Sequence, residues 1–224
     1  MKEKATDTPT RILLVDDHPV FCLGMTQLIN KEEDLLVVGS EETAKGALKT
    51  IETLQPNFLI VDISLKDSDG IELVQEIHRH RPELPMLVLS MYDESLYAER
   101  AIVAGARGYV MKQEAINVVV KAIRHVLAGS IYASDDVKEK VFTRLVSKKM
   151  DRNDTSALDS LTNRELEVFR LIGNGLSTKE IADRMHLSHK TIGTYRENIK
   201  TKLKLKHYTE LVHFAVHWSE KIRM

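Results

Sequence analysis

The chain has 224 residues, of which 43% are hydrophobic and 29% are charged, and its net charge is −1 at pH 7. This composition is typical of a soluble globular protein and excludes an intrinsically disordered chain, and the length is long for one domain and suits two. The single cysteine, Cys22, excludes an internal disulfide, and no apolar run approaches the ~20 residues of a membrane span.

Five short apolar runs alternate with segments of helical periodicity in the first part of the chain. The runs predict strands over 11–15, 35–38, 58–61, 86–89 and 108–110. The segments between them predict helices over 19–30, 43–54, 70–80, 94–104 and 114–128. Strands that alternate with helices pair in parallel through right-handed crossovers, with helices on both faces. We therefore predict an α/β domain over 10–130, built on a doubly wound five-stranded parallel sheet.

Polar side chains follow four of these runs at their carboxyl ends. Asp16 and Asp17 follow the first run, Asp62 the third, Ser90 the fourth and Lys112 the fifth. Because such sheets bind ligands at the carboxyl edge, we expect these groups to gather there. The three carboxylates, with a backbone carbonyl just past Asp62, suit Mg²⁺. Asp62 is the candidate nucleophile towards a phosphoryl group, with positive charge from Lys112 and a hydroxyl from Ser90.

Each of these residues also has a simpler structural interpretation when it is taken alone. The Asp16-Asp17 pair would be a helix N-cap before Pro19, Lys112 a surface lysine and Ser90 a turn residue. Their joint occurrence at successive strand ends favours the phosphoryl site.

A linker and a second domain follow. Residues 131–157 are expected to join the domains, since 147–156 are polar without an apolar period, and 137–146 have the spacing of a short helix. An all-α domain is predicted over 158–224, with helices at 162–173, 177–185, 188–203 and 208–220. Two capping-box patterns, TNRE at 162–165 and STKE at 177–180, mark helix starts. A short helix, a tight link and a longer basic helix predict a helix-turn-helix.

The charge of the second part indicates a polyanion partner. Residues 151–224 carry 13 Lys and Arg against 10 Asp and Glu, whereas residues 1–150 carry 19 against 23. On the third helix, Ile192, Tyr195, Ile199 and Leu203 have the spacing of an inward face, which leaves the opposite face free for a major groove. The residues expected to bind DNA are Thr178, Lys179, Lys190, Thr191, Gly193, Thr194, Glu197, Lys200 and Lys202.

The first domain resembles the receiver domain of two-component response regulators, which has a flavodoxin-like fold. The resemblance lies in LLVDDHP at 13–19, LIVDISLKDSDG at 59–70, VLSMYDE at 88–94 and GYVMK at 108–112. It implies that Asp62 accepts phosphate from a histidine kinase. It also implies that the Ser64 carbonyl joins Asp16, Asp17 and Asp62 around Mg²⁺. Ser90 and Lys112 would contact the phosphoryl group, and Tyr109 would change rotamer with the switch. Lys66 stands where the family usually has proline.

Residues 158–220 resemble the LuxR/NarL-type DNA-binding domain, with the segment 161–206 matching almost throughout. The resemblance implies a double-stranded DNA operator, with Gly193, Thr194 and Glu197 facing its bases. The first and last of these positions are often basic in the family. A dimer contact on the last helix is implied at Leu211, Val212 and Ala215.

Together these features predict a NarL-type, phosphorylation-controlled transcription regulator that forms a homodimer on phosphorylation or on DNA. It would be no enzyme beyond phosphotransfer and autodephosphorylation. The polar N-terminus lacks a hydrophobic signal region, so a cytoplasmic protein without a membrane partner is expected. Two alternatives stay open. One is a Mg²⁺-dependent phosphohydrolase with Asp62 as nucleophile, and the other is a phosphate-independent DNA-binding or scaffold protein, which Lys66 favours.

Overall fold

The computed structural model describes residues 8–66, 68–91, 94–146, 158, 160–185 and 187–222. The chain divides into two compact units, Met1–Lys148 and Lys149–Met224. Within the described residues, no helix combines the length and apolar character needed to cross a membrane.

Five parallel strands form the sheet of the first unit. They are β1 (Thr10–Val15), β2 (Leu35–Glu41), β3 (Phe58–Asp62), β4 (Met86–Ser90) and β5 (Gly108–Met111). Their order in the sheet is β2-β1-β3-β4-β5, so the strand order reverses between β1 and β3. Ligands of doubly wound sheets bind at the carboxyl ends of the strands beside such a reversal. The predicted fold class is confirmed, and this rule places the candidate site past β1 and β3.

Helices cover both faces of the sheet. They are α1 (Pro19–Ile29), α2 (Ala44–Leu54), α3 (Gly70–His80), α4 (Glu94–Ala104) and α5 (Lys112–Leu127). Alternate strand residues such as Ile12 and Ile60 pack with α1 and α5 in one apolar cluster. Because successive side chains of a strand point to opposite faces, the intervening buried residues face the other helices. Local caps set the starts of α2 and α3, since Thr43 accepts from the Gly46 N–H and Asp69 from the Ile71 N–H.

A segment that follows α5 packs on the same unit. The Tyr109 N–H donates to the Tyr132 carbonyl and the Tyr132 N–H donates to the Arg107 carbonyl, each at 2.9 Å, so Tyr132 extends the sheet beside β5. The Glu94 carboxylate accepts from the Ser134 N–H at 2.9 Å. Helix α6 (Asp135–Val146) then packs against α4 and buries Val137 and Val141. A helix covers the predicted 137–146, whereas 147–157, the later part of the linker predicted over 131–157, lie outside the described residues.

The second unit consists of helices around a small aromatic core. They are α7 (Asn163–Gly173), α8 (Thr178–Arg184), α9 (His189–Lys202) and α10 (Tyr208–Ile222). Both predicted capping boxes are present, and Gly175 follows α7 with a φ of 80°, as a C-terminal glycine does. The Phe169 ring lies 5.5 Å from the rings of Phe214 and Trp218, measured between centroids. Ile192 and Ile199 of α9 are buried in this core, as predicted.

The predicted dimer contact on α10 requires correction. Leu211 and Ala215 are 0% exposed, because one turn of helix separates them and both face inward where α10 packs against α7. Only Val212 of the three predicted residues keeps exposed surface. A dimer contact on this helix would therefore use residues other than Leu211 and Ala215.

Candidate functional site

Three carboxylates meet at the carboxyl edge of the sheet, past β1 and β3. Asp16 and Asp62 are buried and Asp17 is half-buried, and one ligand atom of each lies within 4.8 Å of the others and of a His18 nitrogen. The Lys112 Nζ lies 2.6 Å from Asp16 Oδ2 and 2.8 Å from Asp62 Oδ2. The structure thus brings together four residues that the sequence predicted to gather, while their chemical roles remain predictions.

The acidic pair after β1 does not cap the following helix. The N-cap position of α1 is His18, no side chain caps this helix, and Pro19 occupies its first turn. The simpler interpretation of Asp16-Asp17 as an N-cap is therefore wrong. The pair is instead held at the strand end, where the Asp16 N–H donates to the Glu41 carbonyl at 2.8 Å.

Burial dominates the electrostatics of Asp62. Burial raises the pKa of the Asp62 carboxyl, Lys112 opposes this effect and the charge of Asp16 adds to it, so that the pKa lies at about 6. For Lys112, burial lowers the pKa, but attraction to Asp62 and Asp16 outweighs this and leaves the pKa raised. Lys112 thus stays a cation, while the ionised form of Asp62 is disfavoured until further positive charge arrives.

The loop after β3 forms around the backbone of Asp62. The Gly70 N–H donates to the Ile63 carbonyl at 2.8 Å, and Ser64 and Asp69 form an antiparallel bridge across the loop. The Ser64 N–H donates to the Asp62 carboxylate and lowers its pKa. Lys66, in the position where the resemblance leads one to expect proline, forms an ion pair with Glu42. The loop therefore closes without that proline.

Ser90 and Tyr109 complete the predicted receiver residues. Ser90 ends β4 with 0% exposure, one residue past Leu89, which pairs with Asp62 in the sheet register. Tyr109 lies in β5 opposite Val88 and is 2% exposed. Both lie in strands beside the acidic cluster, and Tyr109 has its ring buried in this conformation.

The second candidate site is the exposed side of α8 and α9. Lys179, Lys190, Thr194, Glu197 and Lys202 are exposed. The other predicted DNA residues, which are Thr178, Thr191, Gly193 and Lys200, are half-buried. A Cβ added at Gly193 would meet no atom within 4 Å, so this position opens onto a surface. The predicted DNA residues therefore share an accessible side of the unit.

Several of these residues already have partners inside the unit. Lys202 Nζ lies 2.6 Å from Glu165 Oε2, which is buried, and Lys200 Nζ lies 2.8 Å from Glu197 Oε2. The Thr178 hydroxyl accepts from Arg196 Nη1 at 2.5 Å. The sequence treated these groups as free for DNA, and the structure shows that any DNA contact must share them with intradomain bonds.

Two family models match the chain. The response regulator receiver domain matches residues 12–124, and the bacterial regulatory proteins of the luxR family match residues 159–215. The chain belongs to the response regulators with a LuxR-type DNA-binding domain. The family and the two domain types expected from the sequence are thereby confirmed.

Relatives of this response regulator match over nearly their whole length. It is 33% identical over 208 residues to the fimbriae Z protein of Salmonella typhimurium, covering 92% of this chain and 96% of the relative. It is 32% identical over 206 residues to the response regulator GacA of Pseudomonas aeruginosa, covering 92% and 95%. A solved structure of RcsB from Salmonella enterica serovar Typhimurium, bound to a promoter with the phosphomimetic BeF₃⁻, shares 26% identity with a TM-score of 0.55, covering 93% and 100%.

His18 is a residue of the response regulator's acidic site that the sequence did not single out. Its Nδ1 lies 3.0 Å from Asp16 Oδ1 and 2.9 Å from Asp17 Oδ1. Its position directly after the acidic pair, at the turn into α1, was the available signal. An imidazole between two carboxylates offers a hydrogen-bond partner that a cation would have to displace.

The residues of this site fit a divalent cation. Asp17 Oδ1 is buried, and although His18 Nδ1 lies 2.9 Å away, the hydrogen bond of that nitrogen goes to Asp16, so Asp17 Oδ1 accepts none within the described residues. An orphaned carboxylate oxygen beside two further carboxylates is the donor set that hard cations prefer. Asp16, Asp17 and Asp62 are therefore the residues that would hold Mg²⁺.

The raised pKa of Asp62 predicts that stability depends on pH when no divalent cation is present. The pKa of Asp62 in the folded protein, about 6, lies above its ordinary value of 3.8. The folded state therefore holds the proton more tightly, so the contribution of Asp62 to stability is complete below pH 3.8 and is lost as the pH rises through about 6. Asp62→Asn, which removes the charge and keeps the shape, is expected to be more stable than wild type near neutral pH by about 1–3 kcal/mol. The difference should shrink towards pH ~4.

Urea denaturation of both proteins with a chelator, over the acid to neutral range, measures this difference. Adding Mg²⁺ serves as the matched control, because a cation that binds only the folded wild-type site stabilises wild type and reduces the advantage of Asp62→Asn. A pH-independent difference between the two proteins would contradict the prediction.

Proposed function

We propose that this response regulator controls transcription through phosphorylation of Asp62 by a histidine kinase. The observation that carries the proposal is the position of Asp62, buried at the end of the central strand with the Lys112 amine 2.8 Å from its Oδ2. A carboxylate so placed is a nucleophile with a cation ready for the transferred charge.

The proposed reaction transfers a phosphoryl group from a kinase histidine to this carboxylate. An Asp62 oxygen attacks phosphorus, the O–P bond forms, the P–N bond to the imidazole breaks and the imidazole leaves. Lys112 stabilises charge on the phosphoryl oxygens, and Ser90 offers its hydroxyl at the same edge. Mg²⁺, when bound by Asp16, Asp17, Asp62 and the Ser64 carbonyl, supplies charge neutralisation at the reacting oxygens.

The proposed output is binding of a homodimer to a double-stranded DNA operator. The exposed side of α8 and α9 supports it, as does the similarity to RcsB, whose solved structure contains promoter DNA and a phosphomimetic. Phosphorylation would bias a receiver equilibrium that involves Tyr109 and so favour the dimer. Two-fold symmetry would then match two half-sites, with bases contacted from Gly193, Thr194 and Glu197.

The test is DNA binding with and without acetyl phosphate and Mg²⁺, on duplexes selected with wild-type protein. We expect phosphorylation to tighten wild-type binding about tenfold or more, which is about 1.4 kcal/mol, and to shift its mass to a dimer. Asp62→Asn should show neither response. Glu83→Gln is the matched control, because Glu83 is an exposed carboxylate just before β4, at the opposite edge of the sheet.

This experiment, together with an assay of phosphate-ester hydrolysis, separates the alternatives. Equal binding by wild type and Asp62→Asn in both conditions would make this a phosphate-independent DNA-binding protein. Sustained hydrolysis of small phosphate esters would indicate a phosphohydrolase, a class to which the relatives named above do not belong. A cytoplasmic location remains a prediction from the sequence.

A further inference from the structure

Arg196 contacts the first residues of two other helices from the middle of α9. Its Nη1 donates to the Thr178 Oγ1 at 2.5 Å, and Thr178 is the first residue of α8. Its guanidinium carbon lies 3.5 Å from the centroid of the Tyr208 ring, and Tyr208 is the first residue of α10. One half-buried side chain therefore joins three helices of the DNA-binding unit.

The hydrogen bond from Arg196 determines what the Thr178 hydroxyl can do. A hydroxyl has one donor hydrogen and two acceptor lone pairs, and here a charged donor occupies a lone pair. The hydrogen is then directed away from the guanidinium and is available to an outside acceptor. On the exposed side of α8 and α9, where DNA binding is proposed, a DNA phosphate oxygen is the matching acceptor.

The geometry leaves Arg196 poorly placed for a phosphate of its own. Its charged plane is stacked on Tyr208, and a stacked guanidinium loses this contact if it turns towards DNA. Lys190, in contrast, is exposed, and its side chain makes no ion pair within the described part of the chain. Arg196 and Lys190 therefore differ in whether their surroundings leave the side chain free to contact a DNA phosphate.

We propose that Arg196 is a positioning residue for DNA binding. It orients the Thr178 hydroxyl towards a DNA phosphate, and stacking on Tyr208 holds the guanidinium in place for that bond. This inference rests on the proposed DNA-binding function and adds a residue that acts through Thr178 without contacting DNA.

A double-mutant cycle in the full chain tests this inference on a duplex selected with wild-type protein. Arg196→Met and Thr178→Val are each expected to weaken binding about tenfold. The double variant should bind within about twofold of Thr178→Val alone, because the arginine has no other route to DNA. Thr178→Ser keeps the hydroxyl and should bind like wild type, whereas Arg196→Lys, which keeps the charge but loses the stacked plane, should resemble Arg196→Met.

Salt dependence distinguishes positioning from direct phosphate contact. Loss of one phosphate contact lowers the slope of log K against log salt by about 0.9, and this is the result expected for Lys190→Met, the matched control. Arg196→Met should leave the slope unchanged. Thermal unfolding of each variant shows whether the DNA-binding domain is folded. If Arg196→Met or Thr178→Val does not fold, Arg196→Lys and Thr178→Ser test the same two side chains with smaller structural changes.

Three results would overturn the inference. These are a slope lowered by about 0.9 in Arg196→Met, additive effects of Arg196→Met and Thr178→Val, and wild-type affinity in Arg196→Met. All three results require that the wild-type protein binds DNA. If wild type binds no duplex with or without acetyl phosphate, the proposed function is wrong, and the inference about Arg196 is then wrong as well.

Discussion

Gly70→Ala is expected to destabilise the first domain by about 3 kcal/mol or more and to slow phosphorylation by acetyl phosphate at least tenfold. A Cβ at this position would lie 1.8 Å from the Asp62 carbonyl oxygen and 2.9 Å from the Ile63 Cα. Both are backbone atoms of a buried strand end, so no side chain can turn aside. The start of α3 must move away from β3 and displace Asp62 with it.

Calorimetry of the full chain measures the stability of the first domain, and the rate of phosphate incorporation from acetyl phosphate measures the reactivity of Asp62. Gly24→Ala is the matched control, because a Cβ at Gly24 meets no atom within 4 Å. Gly24 lies within α1, so alanine there should stabilise by about 0.5–1 kcal/mol. Wild-type stability and phosphorylation in Gly70→Ala would show that the loop after β3 is not packed as described.

Glu165→Ala is expected to destabilise the DNA-binding unit by about 2–4 kcal/mol. The Glu165 carboxylate is buried and accepts from the Thr162 N–H at 2.8 Å and from Lys202 Nζ at 2.6 Å. Its loss removes a helix cap and a charge-assisted bond that holds the end of α9 against the start of α7. Glu165→Gln, which keeps the cap acceptor, should lose about half as much.

Glu180→Ala is the matched control for this prediction. Glu180 belongs to the same type of capping box and accepts from the Ser177 N–H at 2.8 Å, but it is exposed and has no lysine partner among the described residues. Its loss should therefore cost clearly less than the loss of Glu165. Equal costs for the two glutamates, measured by thermal unfolding, would mean that Lys202 adds nothing and that the cap alone stabilises each helix.

The candidate site of the first domain was predictable because the positions of its side chains follow from where the strands end. Parallel strands end at one edge, so Asp16, Asp62 and Lys112 could be brought together from strand order alone. Helix starts were equally readable, since a capping box lies within four consecutive residues. His18 was not predicted as a site residue because its role depends on its distances to Asp16 and Asp17. The periodicity of the sequence gives no such distances.

Partners between helices were not predictable in the same way. Lys202, which was predicted to bind DNA, and Arg196 lie on a helix whose residue spacing indicates an exposed face but no contact with another helix. Glu165 and Tyr208, their partners, lie in other helices. Leu211 was assigned to an interface from the family resemblance, and an apolar residue of a terminal helix does not show by sequence alone whether it faces a core or a second molecule.

Tyr132 has a consequence for how the first domain behaves when it is isolated. β5 is the last strand of the sheet, and Tyr132 occupies hydrogen-bonding groups along its outer side. A fragment cut at 130 would lose this cover and present an open strand edge, which is a template for pairing with other chains. Self-association of such a fragment would then result from pairing between exposed β5 strands. A fragment ending at 146 would keep Tyr132 on β5, so that its response to phosphorylation could be measured without this pairing.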